Sequence, residues 1–559
     1  MKILDYIKKN GIYISFTIIF LLAFFLRLLL INRPEGLWYD ELISFNEISK
    51  SSLFAVIIAT IKADIHFPLY NTFLYLWAKI FSTSDVMLRF LSVIFGISTV
   101  IISFFIGKKL KNNRLGIILM LIFSINSYLI YYSQEVKLYS LLYLLLSINT
   151  LYLVKILKNS SKLKDFILFS IFSFLILITY TSGLFFVLAE FIILFLHFYF
   201  YKKEDIKKFN ISLVLLFVLN IPTLMIYLYN FDKFKGFFTS AYSDLSSIFV
   251  ALQNYLTPVF FAVATNPPHY VKSLMQNLSL HNFVFIIIPL IISFYFLFKN
   301  ICTKEDFSTI SNSIIVSFLI LAIIAFELTN FPLLSRYLSL ILPLLLTCIA
   351  LGVEKSFDKK TTKILFIFLI LINLSYLMFS SKAVYKISRC GYKPLANFVN
   401  EYSSTGDVLL LWNNPNILDK YLNKDLQKLA ILKNFAYTSD LILYNENKLN
   451  KMKLEQRKDF LRSDLKKKEI PNNTVLLLNT IKTHFKNKNL ILTTTKNFDN
   501  YDRNDFINLL NNDEKFAEIP YNSLLTIYAI INIKDYCNQN FKLIKQKQDA
   551  YFVIYVYKM

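Results

Sequence analysis

"FLLAFFLRLLLINRPEGLWYDELISFNEI", Phe20 to Ile48, decides the class of fold. It begins inside an apolar run that starts near Gly11, and it carries two adjacent carboxylates, Asp40 and Glu41, beside Trp38 and Tyr39. A helix needs roughly 20 mostly apolar residues to cross a bilayer, and this run supplies them. Lys8 and Lys9 precede it as they would in a signal peptide, but the run is too long for one and lacks a small-residue cleavage site. It reads as a retained span. The acidic pair then lies within a few residues of the lipid boundary, where ionisable groups tend to face a cavity or a partner.

The rest of the chain repeats the pattern. Its 559 residues are 55% hydrophobic with a mean hydropathy of +0.50, more apolar surface than a soluble chain of this length can hide. Apolar segments begin near Gly11, Val86, Leu115, Leu138, Phe166, Gly183, Asn210, Asn282, Ser311, Leu333 and Ile364, which predicts about eleven transmembrane helices. The shorter run from Ile248 to Ala264, broken by Pro258, reads as a re-entrant or interfacial helix. Lys and Arg alternate between loops in phase: "KKLKNNR" at Lys108, "KILKNSSKLK" at Lys155, "YKKEDIKK" at Tyr201, "FKNICTK" at Phe298 and "EKSFDKKTTK" at Glu354. The positive-inside rule therefore puts the N-terminus in the cytoplasm, and the Asp40 loop and everything after the last span outside the cytoplasmic membrane.

That topology accounts for much of the net charge of +23, so no nucleic-acid partner is needed. Neither G-x-G-x-x-G nor G-x-x-x-x-G-K-[ST] occurs, which argues against a nucleotide-driven engine. The 4 Cys include no CxxC, which argues against a Cys-based zinc or iron–sulfur site; Cys390 and Cys537 either pair or stay as free thiols.

From about Arg389 the apolar runs shorten to strand length: "DVLLLW" at Asp407, "TVLLLNT" at Thr474, "LILTTT" at Leu490 and "YFVIYVYKM" at Tyr551. Helical patterns such as "PLANFVNEY" from Pro394 lie between them. The expectation is a transmembrane domain over 1–388, with an outer loop over 32–85, and a soluble extracytoplasmic α/β domain over 389–559. Asp499, Asp502 and Asp505 read as a solvated loop.

With the topology set, unusual polar residues fall at one depth on one side. They are Asp40 and Glu41; Asp64 and His66 of "DIHFPLY"; Gln134, Glu135 and Lys137 of "YYSQEVKLYS"; Arg336 of "LLSRYLSLILP"; and Arg27 and Arg89 near span ends. Each has a plain structural reading. The acids would be solvated loop groups, Asp64 and His66 would cap a helix, and Arg27 and Arg89 would snorkel to headgroups. Their coincidence on one face favours a site that acts on a substrate with a charged head and a lipid tail.

The series "WYDELISFNEI", "DIHFPLYNTFLYLWAKIFSTSDVMLRFLSVIFG", "YSQEVKLYSLLYLLL" and "RYLSLILP" resembles the polyprenyl-phosphate-dependent membrane glycosyltransferases of the C-type fold. These are the relatives of protein O-mannosyltransferases and of the lipid A aminoarabinose transferase, and the broad bacterial glycosyltransferase 39-like group. The resemblance covers about the first 350 residues. Family members often carry Pro-Pro after the His, where this chain has Phe67-Pro68, and usually Arg where Lys137 stands. Lys keeps the charge but loses the bidentate fork.

The resemblance implies a sugar donor linked to a polyprenyl phosphate and an extracytoplasmic lipid, polymer or protein acceptor. Asp40 would be the general base, because the first outer-loop Asp holds that place in the family, and one base with direct displacement gives inversion. Glu41 and Asp64 are further catalytic candidates. Lys137 and Arg336 would meet the leaving phosphate, with His66 or Arg89 in support and Glu135 orienting Lys137. Gln134, Tyr39 and Tyr139 complete the substrate-binding candidates. No cofactor is required; a divalent ion, if used, would take Asp40, Glu135 and His66. The rivals are a lipid flippase or transporter, for which Glu190 inside the sixth span speaks, a lipid-linked oligosaccharide ligase, and a non-catalytic anchored binding protein.

Overall fold

The computed structural model describes residues 2–63, 67–158, 161–229, 284, 288–301, 305–329, 338–379, 391–411, 416–423, 425–430, 488–495, 531, 533–548 and 552–559. They divide into two compact units. One comprises 1–32 and 47–388, the other 33–46 and 389–559.

The first unit is helical. In chain order its elements are α1 (Lys2–Leu28), the end of α2 (Tyr39–Ile48), α3 (Leu53–Ala63), α4 (Leu69–Ile80), α5 (Asp85–Leu110), α6 (Asn113–Ile125) and α7 (Ser127–Ser133). There follow α8 (Tyr139–Ile156), α9 (Leu163–Leu177), α10 (Gly183–Phe200), α11 (Ile206–Tyr229), α12 (Ile288–Ile301), α13 (Asp306–Thr329), α14 (Leu342–Lys355) and α15 (Lys360–Phe379). Every one of the eleven apolar segments carries a helix. Among the described residues seven helices are long and apolar enough to cross a membrane, and α6 with α7 makes an eighth if the bent pair counts as one span. The protein is a multi-pass membrane protein.

The helices begin and end where their sequence dictates. Ser84 caps α5 by accepting from the Met87 N–H at 3.4 Å; Asp85 sits in the first turn and Lys108 and Lys109 in the last, each complementing the helix dipole. Its 26 residues reach about 39 Å, enough to span. Asn126 ends α6 and caps α7 by accepting from the Leu129 N–H at 3.0 Å, and the chain bends there by 60°. Elsewhere apolar side chains stand exposed along a span, as Val214, Phe217, Ile221 and Met225 do on α11, which suits lipid and not water. At one end of the bundle Arg114 grips Glu354 with two bonds of 2.8 and 2.9 Å, joining the start of α6 to the end of α14.

The second unit is an α/β domain. Its sheet has the order β2-β1-β3-β5-β4, from β1 (Val408–Leu411), β2 (Gln427–Ala430), β3 (Asn489–Thr495), β4 (Lys542–Gln548) and β5 (Phe552–Lys558). β1 lies parallel to β2 and β3, while β5 runs antiparallel to β3 and β4. Inward side chains of the central strands, among them Leu410, Leu492, Val553 and Tyr555, close on Ile533, Cys537 and Phe541. The helix α16 (Tyr392–Tyr402) buries Leu395, Phe398 and Val399. The expected strands at Asp407, Leu490 and Tyr551 are β1, β3 and β5; the one at Thr474 lies outside the described residues, as do Asp499, Asp502, Asp505 and the Ile248–Ala264 segment. Cys537 is buried and free, so it does not pair with Cys390, itself outside the described residues.

Candidate active site

Two groups of candidate residues are described, one in each unit. In the first, the C-terminal end of α1 meets the start of α5 and the turn between α7 and α8. The last carbonyls of a helix lack helical partners, and in lipid no water replaces them. Gln134 supplies the donor: its Nε2 donates to the carbonyls of Arg27 at 3.0 Å and Leu29 at 2.8 Å. Arg89 donates from Nη1 to the Ile31 carbonyl at 3.0 Å.

Arg27 serves the neighbouring break. Its guanidinium donates to the carbonyls of Ser124 (3.1 Å) and Phe123 (3.2 Å), in the last turn of α6, to Ala23 of its own helix (3.2 Å), and to Ser133 Oγ of α7 (3.2 Å). Gly96 of α5 makes room for this contact, since a Cβ there would fall 2.0 Å from Ser133 Oγ. Both Arg27 and Arg89 are 0% exposed, which disfavours the plain alternative that they snorkel to headgroups. They face inward because helix ends and a helix break give a buried cation carbonyls to satisfy.

Glu135 and Lys137 occupy the same turn. Glu135 is buried, and its backbone carbonyl accepts from Ser92 Oγ at 2.6 Å, with Tyr70 Oη 3.0 Å from that hydroxyl. Lys137 is half-buried. Tyr139 opens α8, its ring 4.3 Å from Tyr132 and 5.8 Å from Tyr180. One turn on, Tyr143 shares a 2.5 Å hydrogen bond with Ser339, which ties α8, within the stretch "YSQEVKLYSLLYLLL", to the segment that leads into α14. Asp64, His66 and Arg336 lie outside the described residues. Among the described residues no three His, Cys, Asp or Glu side chains converge as a metal site requires. Glu190 is fully buried in α10.

The helices also form a cluster that the sequence does not announce. Glu47, at the end of α2, accepts from Asn71 of α4 and, at 3.2 Å, from Thr60 of α3. Glu47 and Asn71 flank "DIHFPLY", but helix faces that far apart along the chain cannot be paired by reading.

The second group is the acidic pair itself, at the start of α2, and its two members differ. Glu41 is 0% exposed, and its Oε2 accepts from the Trp38 N–H at 3.1 Å, closing the first turn as the returning half of a capping box. Asp40 is half-exposed, on the first turn of the helix. Tyr39 lies beside it, its ring 6.4 Å from Tyr392. Burial, and then the Asp40 charge, push the Tyr39 phenol above its ordinary range, so it stays neutral and can donate a hydrogen bond. Of the pair, Asp40 is the more exposed.

These elements define a polytopic helical membrane protein with a C-terminal α/β domain. The fold is similar to that of ArnT from Cupriavidus metallidurans. Its apo structure matches at 9% identity over 98% of this chain and 98% of that one, with a TM-score of 0.56. The structure of that protein bound to undecaprenyl phosphate matches at 8% identity over the same shares, with a TM-score of 0.56. The oligosaccharyltransferase of Archaeoglobus fulgidus, tethered with an acceptor peptide, matches at 11% identity and a TM-score of 0.47 over 76% of this chain. The chain spans 64% of the length of that protein. The fold is therefore that of the C-type glycosyltransferases, as the sequence motifs lead one to expect. No protein-family model matches the chain, and no curated protein matches its sequence.

Proposed function

We propose that this protein is a membrane glycosyltransferase that moves a sugar from a polyprenyl-phosphate-linked donor to an extracytoplasmic lipid, polymer or protein, with inversion. The observation that carries the reading is the difference in burial within the acidic pair, Glu41 at 0% exposed and Asp40 half-exposed on the first turn of α2. Glu41 is tied to the Trp38 N–H, while Asp40 stands half-exposed beside a neutral Tyr39. The fold shared with ArnT, a protein seen with undecaprenyl phosphate bound, supports the donor class.

Asp40 takes the acceptor hydroxyl's proton as its oxygen attacks the anomeric carbon, because that hydroxyl is a poor nucleophile at neutral pH. The bond from that carbon to the phosphate oxygen breaks, and the lipid phosphate leaves with added negative charge. Lys137 and Arg336 meet that charge, where fixed cations in a partly dry site outperform water. The N-terminus lies in the cytoplasm and the α/β domain outside, following the alternation of basic loops.

The test is mass spectrometry of lipid extracts from a deletion strain. A polyprenyl-phosphate-linked sugar should accumulate and clear on complementation. A lipid pool identical to the parent's, with an intact envelope, contradicts the proposal.

A further inference from the structure

The segment that holds Asp40 belongs to the α/β unit and not to the helices that flank it in sequence. It is gripped on both sides of Asp40. Before it, the Leu37 N–H donates to Tyr421 Oη at 2.7 Å, and the Glu35 carbonyl accepts from the Lys393 N–H at 3.3 Å. After it, Lys420 Nζ lies 4.2 Å from the centroid of the Phe45 ring, and Asn46 donates to the Asn416 carbonyl at 3.3 Å.

Gly36 makes the closest approach. Its φ of +75° is a backbone shape that L side chains rarely adopt, and a Cβ there would lie 2.6 Å from Tyr421 Oη. Tyr421 is itself fixed. Its carbonyl accepts from Asn400 of α16 at 2.8 Å, and the same Asn400 side chain accepts from the Asn423 N–H at 3.0 Å. A line of short contacts thus runs from α16 through Asn400, Tyr421 and Leu37 to the first turn of α2.

We infer that Tyr421 is a positioning residue: its hydroxyl holds the Gly36–Leu37 turn and thereby sets the first turn of α2, which carries Asp40. The inference rests on the reading of Asp40 as the base. It gives the α/β domain a task in the reaction, that of orienting the catalytic carboxylate. A general base works only within hydrogen-bond reach of its proton, and a misplacement of about 1 Å costs up to a hundredfold.

The experiment uses full-length protein in lipid nanodiscs. The donor is the polyprenyl-phosphate sugar extracted from the deletion strain, and the acceptor is that strain's envelope fraction. Tyr421→Phe keeps the ring and removes the hydroxyl. It should lower kcat about tenfold, leave the donor KM within about twofold, and speed hydrogen exchange in the peptide containing Leu37 about tenfold. Gly36→Ala perturbs the same turn from the other side and should lower kcat in the same way.

In an Asp40→Asn background Tyr421→Phe should cost little more, since both act through one group. Unchanged kcat in Tyr421→Phe, or an undiminished tenfold loss on top of Asp40→Asn, overturns the inference. Its failure is distinguishable from failure of the base reading. In the first case Asp40→Asn is slow while Tyr421→Phe is normal; in the second Asp40→Asn itself turns over normally.

Discussion

Replacing Arg27 with Met separates a staple from a snorkel. Among the described residues the guanidinium, 0% exposed, donates to Ala23, Phe123, Ser124 and Ser133 at 3.1–3.2 Å, two of these acceptors being carbonyls in the last turn of α6. A hydrogen bond from a charged donor contributes about 1.5–3 kcal/mol when removed singly, and bonds from one guanidinium do not add fully. Met also relieves the cost of burying a charge, which offsets part of the loss. The net is on the order of 2–3 kcal/mol, because the acceptors left behind are neutral and a buried one without a donor costs about 1–3 kcal/mol. A snorkelling arginine replaced by Met changes stability by about 0.5 kcal/mol or less. The assay is reversible unfolding in mixed micelles followed by Trp fluorescence, with Arg27→Lys expected between wild type and Arg27→Met. A midpoint for Arg27→Met within about 0.5 kcal/mol of wild type refutes the staple.

Glu41→Gln keeps an oxygen for the Trp38 N–H and should stay close to wild type in melting and turnover. Glu41→Ala loses the cap and about 1 kcal/mol, read by thermal denaturation; a Glu41→Gln variant that melts normally yet is inactive would make Glu41 the base. Lys137→Arg should retain activity while Lys137→Met loses about tenfold to a hundredfold in apparent donor affinity, and a Lys137→Met titration superposing on wild type moves the phosphate contact elsewhere. Burial pushes the Cys537 thiol up to about 12. Its folded value is raised, so its contribution to stability is fully present below the unfolded value of about 8.5 and is lost as pH rises toward the folded one. Alkylation at pH 8 should therefore be slow in the folded protein and fast in denaturant, and rapid labelling without unfolding contradicts the buried placement.

The bundle was legible because lipid imposes length and hydropathy on every span, and each of the eleven apolar segments carries a helix among its described residues. The break at Asn126 was not legible, since apolar residues continue on both sides of it. β1, β3 and β5 announce themselves as apolar runs. β2, "QKLA", is short, and β4, "KLIKQKQ", is an edge strand exposed along its whole length, whose lysines guard the edge and hide the strand from a hydropathy reading.

In the site, the alternation of basic loops gave Arg27, Arg89 and Gln134 a depth but no direction. Among the described residues their partners lie about 60 to 110 residues away, at or just beyond helix ends, except for Ala23 on α1 itself. The Glu41 cap escaped notice because Trp38 stands where Ser, Thr, Asp or Asn usually marks a capping box, although the spacing to Glu41 is right. Nothing in "GLWYDELISFN" signals that Tyr421, far along the chain, holds it.

The measurement closest to the central claim is single-turnover transfer by full-length wild type and Asp40→Asn in nanodiscs, from the lipid-linked sugar that accumulates in the deletion strain. The account predicts that Asp40→Asn binds the donor as wild type does and transfers it about 100-fold more slowly or worse, the range for a lost general base. Equal transfer rates for the two proteins would contradict it.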